Sequence, residues 1–366
     1  MQFIDLNKQY RLHQAAIDRA IHEVLEKGQY IMGPQVKALE EVLAAYVGVK
    51  HTIAVANGTD SLQIALMALG VGPGDEVITV PFTWISTVEV ISLVGATPVF
   101  IDIEHETFNM DIEQLESAIT PRTKAIIPVS LFGQMPDYGA INMIAERHGI
   151  AVIEDGAQSF GATQAGRRSC SVTQIGSTSF FPAKPFGCYG DGGALFTNDD
   201  ALASKMRAIR THGGERRHYH PYVGMNSRLD TIQAAVLLAK FPHFPQEVEA
   251  RQQIGARYSE LLQDCCEVPL VQEDNTHVYA QYTIRCPERD AVSETLKIQG
   301  IPTAVYYPKC CHEQPCFGQF GYGKGSFPEA ERAAAEVLSL PMHPWLTIEE
   351  QNTVVEAVQN ALVAVA

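Results

Sequence analysis

No run of about 18 apolar residues occurs in this chain, so a membrane-spanning helix is not expected. Basic charge is also scarce: 27 Lys and Arg stand against 42 Asp and Glu, for a formal net charge of −15. A nucleic-acid surface needs a concentrated basic patch, and that class of partner is excluded. The one dense basic stretch, Arg210 to His220, is interrupted by Glu215. It reads as a solvated loop or as a holder of phosphate or diphosphate. The eight cysteines include the adjacent pairs Cys265-Cys266 and Cys310-Cys311, with no C-x-x-C spacing. Neither a zinc site nor a disulfide framework follows, and no metal is expected. Reduced thiols suit a cytoplasmic protein. So does the stretch Met1 to Leu6, which lacks the charged and apolar regions of a signal peptide. No G-x-G-x-x-G follows the first expected strand, which argues against a nicotinamide-dinucleotide dehydrogenase.

What is present is material for a large core. The 366 residues are 46% hydrophobic, and the length suggests about two domains. Strand-like runs occur at Thr52 to Ala56, Glu76 to Val80, Pro98 to Ile103, Ala125 to Val129 and Ala151 to Glu154. Between them lie segments such as Leu62, Ala65, Leu66 and Leu69, whose spacing is helical. That alternation predicts an α/β architecture with a mainly parallel sheet covered on both faces. Gly176 to Phe181 and Gly193 to Thr197 read as two further strands. Ile17, Ala20, Ile21, Val24 and Leu25, then Val36, Leu39, Leu43 and Tyr46, mark two amphipathic N-terminal helices. Asp230 to Phe241 is a nearly all-apolar helix that should be buried. Pro242 and Pro245 are expected to break the chain before a helix from Gln246 to Leu262. The last part mixes strands (Ala280 to Ile284, Ala304 to Tyr307) with helices.

The chemistry centres on Lys184, in Ser179-Phe180-Phe181-Pro182-Ala183-Lys184-Pro185-Phe186-Gly187. Apolar and aromatic surroundings desolvate an amine, lower its pKa and make it a nucleophile toward an aldehyde. Upstream, Ala151-Val152-Ile153 runs into Glu154-Asp155, a carboxylate at the carboxyl end of a strand, where α/β sheets place ligand chemistry. The pair suits pyridoxal phosphate, with the lysine joined to its aldehyde and Asp155 on its ring nitrogen. Asn57-Gly58-Thr59-Asp60 follows a strand and opens a helix, which aims N–H groups at a phosphate. An ordinary N-cap explains Thr59 or Asp60 equally well. Cys188, four residues past the lysine, has no expected chemical role.

These residues, with Gly28 to Pro34, Gly72 to Ile78, Gly224 to Asp230 and Leu340 to Pro344, resemble the fold-type I, pyridoxal-phosphate-dependent sugar-nucleotide aminotransferases nearly end to end. The resemblance implies a mainly parallel seven-stranded sheet sandwiched by helices, with a smaller α+β C-terminal domain. It implies an N-terminal helical segment over 1–50 that packs with the small domain, a large domain over 51–245 and a small domain over 246–366. It implies cofactor contacts from Gly58, Thr59, Asp60, Ser179 and Gln158, and from Trp84 as the ring that stacks on the cofactor. A buried core tryptophan is the competing reading of Trp84, and Gln158 reads equally as structural. Asn226 matches a residue that reaches the phosphate from a neighbouring subunit, which implies a homodimer with shared sites.

The Lys184-Pro185 form, with Tyr279-Ala280-Gln281-Tyr282, looks most like the branch acting on UDP-2-acetamido-2-deoxy-3-oxo-glucuronate for lipopolysaccharide O-antigen, with L-glutamate as amino donor. Arg228 is then a candidate for the uronate carboxylate; a salt bridge to Asp230 or another acid competes. Tyr30, Tyr307, Lys309 and His312 are the other candidate substrate contacts. Tyr306 stands where the family often has histidine, so only Tyr307 and Pro308 carry over from that motif. Aminotransferases for 4-keto sugars and a non-catalytic regulator on the same fold are the alternatives. Family members that dehydrate sugars carry histidine in place of the lysine, and Lys184 argues against that branch.

Overall fold

The computed structural model describes residues 1–365. Seven strands form the central sheet: β1 (His51–Val55), β2 (Glu76–Thr79), β3 (Thr97–Phe100), β4 (Thr123–Ile126), β5 (Ala151–Asp155), β8 (Ile175–Ser179) and β9 (Gly193–Thr197). A short hairpin, β6 (Thr163–Gln164) with β7 (Arg167–Arg168), lies between β5 and β8 in the chain. The strand order is β1-β9-β8-β5-β4-β2-β3, with β9 antiparallel to both its neighbours and the other pairings parallel. Successive side chains of a strand face opposite sides. Ile53, Val55, Val77, Ile153 and Leu195 accordingly enter one buried cluster, while Ala54, Ile78, Val152, Ala194 and Phe196 enter another. Burial on both faces is what makes these strands continuous apolar runs and lets the sequence reveal them.

Helices α1 (Leu6–Lys27), α2 (Pro34–Val47), α3 (Gly58–Leu69), α4 (Ser86–Leu93), α5 (Ile112–Ala118), α6 (Tyr138–His148), α7 (Asp200–Arg210) and α8 (Thr231–Lys240) precede the long α9 (Phe244–Leu262). Pro242 sits in a single 3-10 turn between α8 and α9, and Pro245 in the first turn of α9. The expected break is therefore only a tight join, because proline is tolerated where no intrahelical N–H bond is lost. α1 and α2 run beside α8, and α2 also beside β1. The start of the chain also reaches the C-terminal part: Phe3 O accepts from Met342 N, Lys8 Nζ donates to Trp345 O, and Gln9 Nε2 donates to Glu247 of α9.

A third cluster gathers Tyr258, Leu262, Tyr282, Ile284, Val292, Leu296, Leu338, Leu340, Val354 and Val358. They come from α9, β10 (Tyr282–Arg285), α10 (Arg289–Ile298), β11 (Val337–Leu340) and α12 (Ile348–Val365); α11 (Pro328–Glu336) leads into β11. The strand expected at Ala304 to Tyr307 does not form. Ala304 makes a single bridge to Ser339, after which the chain turns away to bring Tyr307 beside Gln158. No helix among the described residues is long and apolar enough to cross a membrane.

Candidate active site

The carboxyl ends of the parallel strands assemble the site. Asp155 is the last residue of β5 and is buried. Thr87 Oγ1 donates to its Oδ2 at 2.8 Å, and Ala157 N donates to its Oδ1 at 3.2 Å. Burial raises its pKa, while those two donors and the neighbouring Lys184 favour the charged form. Glu154, whose side chain points to the other face, is wholly buried. It accepts from Ser169 Oγ (2.5 Å), Cys170 N (2.7 Å) and Ser130 Oγ (3.3 Å), and burial pushes it up to about 7.

Lys184 lies in the connection from β8 to β9, next to β5 in the sheet. Burial lowers its amine to about 8, against the opposing pull of the Asp155 carboxylate. Phe180 and Phe186 flank it in sequence and pack edge to face, centroids 5.7 Å apart. Phe186 in turn lies on Phe160 and Phe244. Phe180 and Phe186 thus anchor both ends of the stretch that carries Lys184 in an aromatic block. Cys188 is buried with its thiol on the Phe180 and Gly190 carbonyls, and burial pushes it up to about 11, so it is no nucleophile.

The start of α3 faces Ser179. Asn57 is the N-cap, its Oδ1 accepting from Asp60 N at 2.8 Å, so the cap is neither Thr59 nor Asp60. The N–H groups of Gly58 and Thr59 have no acceptor among the described residues. Thr59 Oγ1 shares a hydrogen bond with Ser86 Oγ at 2.7 Å. A Cβ on Gly58 would stand 2.7 Å from Ser179 Cβ, so only glycine permits this close approach. Free N–H groups at a helix start, beside a serine hydroxyl, form an anion cradle of the kind a phosphate needs. With the amine and carboxylate above, the residues present fit pyridoxal phosphate.

Other expected residues divide into two groups. Gln158 is buried and fully engaged: its Oε1 accepts from Phe132 N at 2.7 Å and its Nε2 donates to Tyr307 Oη at 3.1 Å. Burial raises the Tyr307 hydroxyl, so it stays a neutral donor. Trp84 is 57% exposed, its ring 5.8 Å from that of Tyr307. The buried-core reading of Trp84 is thereby excluded. Arg228 makes no ion pair with Asp230, which is exposed, and its Nε is buried without a partner. Asn226, Tyr30 and Lys309 are exposed. His312 is a correction: its side chain is fully buried, its Nε2 lies 3.1 Å from Glu331, and its ring packs on Phe100 and Phe327. It is a structural tie, unavailable to a substrate.

Sequence reasoning missed Thr87, whose hydroxyl holds Asp155. No motif marks it; a threonine in the first turn of a helix reads as ordinary capping chemistry. Among the described residues no group of three or more His, Cys, Asp or Glu side chains is placed to hold a metal ion.

Comparison with known proteins agrees with this geometry. Residues 12–359 match the DegT/DnrJ/EryC1/StrS aminotransferase family. The chain is 52% identical to a UDP-2-acetamido-2-deoxy-3-oxo-D-glucuronate aminotransferase of Pseudomonas aeruginosa, covering 98% of this chain and all of that one. It is 49% identical to a pleiotropic regulatory protein of Geobacillus stearothermophilus, over 97% and 96% of the two chains. The solved structure of ntda from Bacillus subtilis with bound cofactor PMP superposes with a TM-score of 0.90 at 33% identity, covering 96% of this chain and 82% of that one. The chain belongs to the DegT/DnrJ/EryC1/StrS aminotransferase family, as a sugar aminotransferase that uses pyridoxal phosphate.

Proposed function

We propose that this aminotransferase moves an amino group from L-glutamate to the 3-keto carbon of UDP-2-acetamido-2-deoxy-3-oxo-D-glucuronate, in the cytoplasm, for a lipopolysaccharide O-antigen sugar. The observation that carries the reading is the convergence of Asp155, at the end of β5, with Lys184, in the loop that leaves the neighbouring β8: an amine lowered to about 8 beside a buried carboxylate. The 52% identical relative supports the choice of sugar. When bound, the cofactor supplies an aldehyde for an amine and a ring that accepts electrons.

The chain's own residues supply the rest. Lys184 would join the cofactor's aldehyde and, once displaced, would carry the proton from the donor's Cα to the former aldehyde carbon, as an amine tuned near neutrality does best. Asp155, held by Thr87 and Ala157, would supply a fixed negative charge to the ring nitrogen. Gly58, Thr59 and Ser179 would hold the phosphate at the start of α3; the expected contact from Asp60 is not supported, because its N–H is taken by the Asn57 cap. Gln158 holds the Tyr307 hydroxyl, and Trp84 would pack against the cofactor's ring. Arg228, with an unpaired guanidinium nitrogen, takes the uronate carboxylate bidentately. Tyr30 and Lys309 line the sugar-nucleotide path.

A homodimer with shared sites belongs to the same proposal. Asn226 is exposed, and Tyr30, Ile31, Met32, Phe181, Tyr222 and Val223 leave apolar surface uncovered. So does the division into an N-terminal segment, a large domain and a small one, supported by the separate cluster around Tyr282 and Leu338.

Offering glutamate with UDP-linked 3-keto uronate and with UDP- or dTDP-linked 4-keto hexoses tests the substrate. Turnover confined to the 4-keto sugars would overturn the choice. A regulatory role is favoured by the name of the 49% identical relative. Turnover that disappears in Lys184→Ala, by a factor on the order of 10³, decides for catalysis; wild-type protein inert toward both sugar classes decides against it.

A further inference from the structure

Lys184 stands in a loop whose neck is tied. Cys188 N donates to Phe180 O at 2.8 Å across the base, and Lys184 N donates to Phe181 O at 2.9 Å within it. Gly187 makes the closure possible, since a Cβ there would come within 2.5 Å of the Phe181 and Pro182 carbonyl oxygens. The outgoing limb is gripped by one helix, α8. Gln233 Oε1 accepts from Tyr189 N at 2.8 Å, and Gln233 Nε2 donates to Tyr189 O at 3.2 Å. Two turns along the same face of α8, Lys240 Nζ donates to the Gly187 carbonyl.

A lysine in the last turn of a helix ordinarily extends into water. Lys240 is 3% exposed instead. Its neighbours are the buried Glu247 and Arg251, the Cys188 thiol and the Tyr189 ring, 5.3 Å away. Glu247 is turned toward α1, where Gln9 Nε2 donates to it at 3.3 Å and His13 lies 3.4 Å away. Lys240 therefore directs its bond at a main-chain carbonyl three residues beyond Lys184, rather than at a carboxylate. Burying an ammonium whose hydrogen bond goes to a neutral acceptor, with the nearby Glu247 carboxylate shared with Arg251, is unfavourable for folding alone. A positional role accounts for it.

We propose that Lys240 is a positioning residue for Lys184: by holding the Gly187 carbonyl it fixes the neck of the loop and hence the presentation of the Lys184 amine. This rests on the reading of Lys184 as the cofactor-bearing lysine. The test compares holoenzymes of wild type, Lys240→Met and Lys240→Gln. The pH midpoint of the bound cofactor's visible absorption is read because it reports how the lysine nitrogen meets the ring. Methionine keeps the volume and removes the donor; glutamine keeps a donor to Gly187. The expected result is a midpoint displaced by about one pH unit in Lys240→Met, with Lys240→Gln close to wild type. An unshifted Lys240→Met, or equal displacement in both variants, overturns the proposal. Should Lys240→Met fail to fold, Lys240→Gln decides alone: a wild-type midpoint supports the role and a displaced one overturns it. A wild type without visible absorption overturns the reading of Lys184 itself, a separate outcome.

Discussion

The Thr87 hydroxyl donates to Asp155 Oδ2 at 2.8 Å, so the first turn of α4 holds the acid at the end of β5. That bond favours the ionised carboxylate against the burial that raises it. Thr87→Val keeps the shape and removes the donor. The carboxylate then rises further, and the acid limb of the kcat/KM profile moves to higher pH. A loss of about tenfold in kcat at neutral pH is expected, read from pH–rate profiles of the two proteins.

Gly58→Ala places a methyl group 2.7 Å from Ser179 Cβ and pushes the start of α3 away from the serine. The fold tolerates a small shift there, but the anion cradle opens. Affinity for pyridoxal phosphate should fall about tenfold, or roughly 1.4 kcal/mol, while glutamate KM measured at saturating cofactor stays unchanged. Fluorescence titration of the apoenzyme gives the first quantity and steady-state kinetics the second.

Among the described residues Arg228 has no carboxylate partner, and its Nε is buried without an acceptor. Arg228→Leu should raise KM for a UDP-linked keto uronate by about 10- to 100-fold, the worth of a charge-assisted bidentate contact. The half-reaction with glutamate, followed by the cofactor's spectrum, should keep its rate. Equal loss in both half-reactions would assign Arg228 to the cofactor instead.

Glu154 links pH to stability. Burial raises it from 4.5 to about 7 in the folded protein, so the native state holds a proton that the unfolded chain has released. Its contribution is fully present below pH 4.5 and is lost as pH rises through about 7. The total span is on the order of 3 kcal/mol. Glu154→Gln should flatten that slope, leaving a variant relatively more stable at pH 8 than at pH 5. Urea unfolding across that range checks it.

The sheet was readable because its strands are buried on both sides, so Val77-Ile78 or Val152-Ile153 stand out as unbroken apolar runs. Lys184 and Asp155 were readable because their residue types conflict with their apolar surroundings. Ala304 to Tyr307 misled for the opposite reason. It has strand-like composition, but only Ala304 finds a backbone partner before the chain bends toward Gln158. His312 looked like a loop histidine near the site; its pairing with Glu331, 19 positions later, is a long-range fact that local pattern does not encode. Lys240 was hidden in the same way, since burial by a distant loop is invisible in the helix that carries it.

Because β5 and β8 are hydrogen-bonded neighbours, with Asp155 opposite Ser177, the acid and the root of the loop that carries the amine are set one sheet spacing apart. Arg228, Tyr307 and Lys309 hang on segments outside that lattice. Substrate range can therefore be rewritten by exchanging those attachments, with the proton-handling machinery left undisturbed, as in a tool whose jaw is replaceable and whose hinge is not.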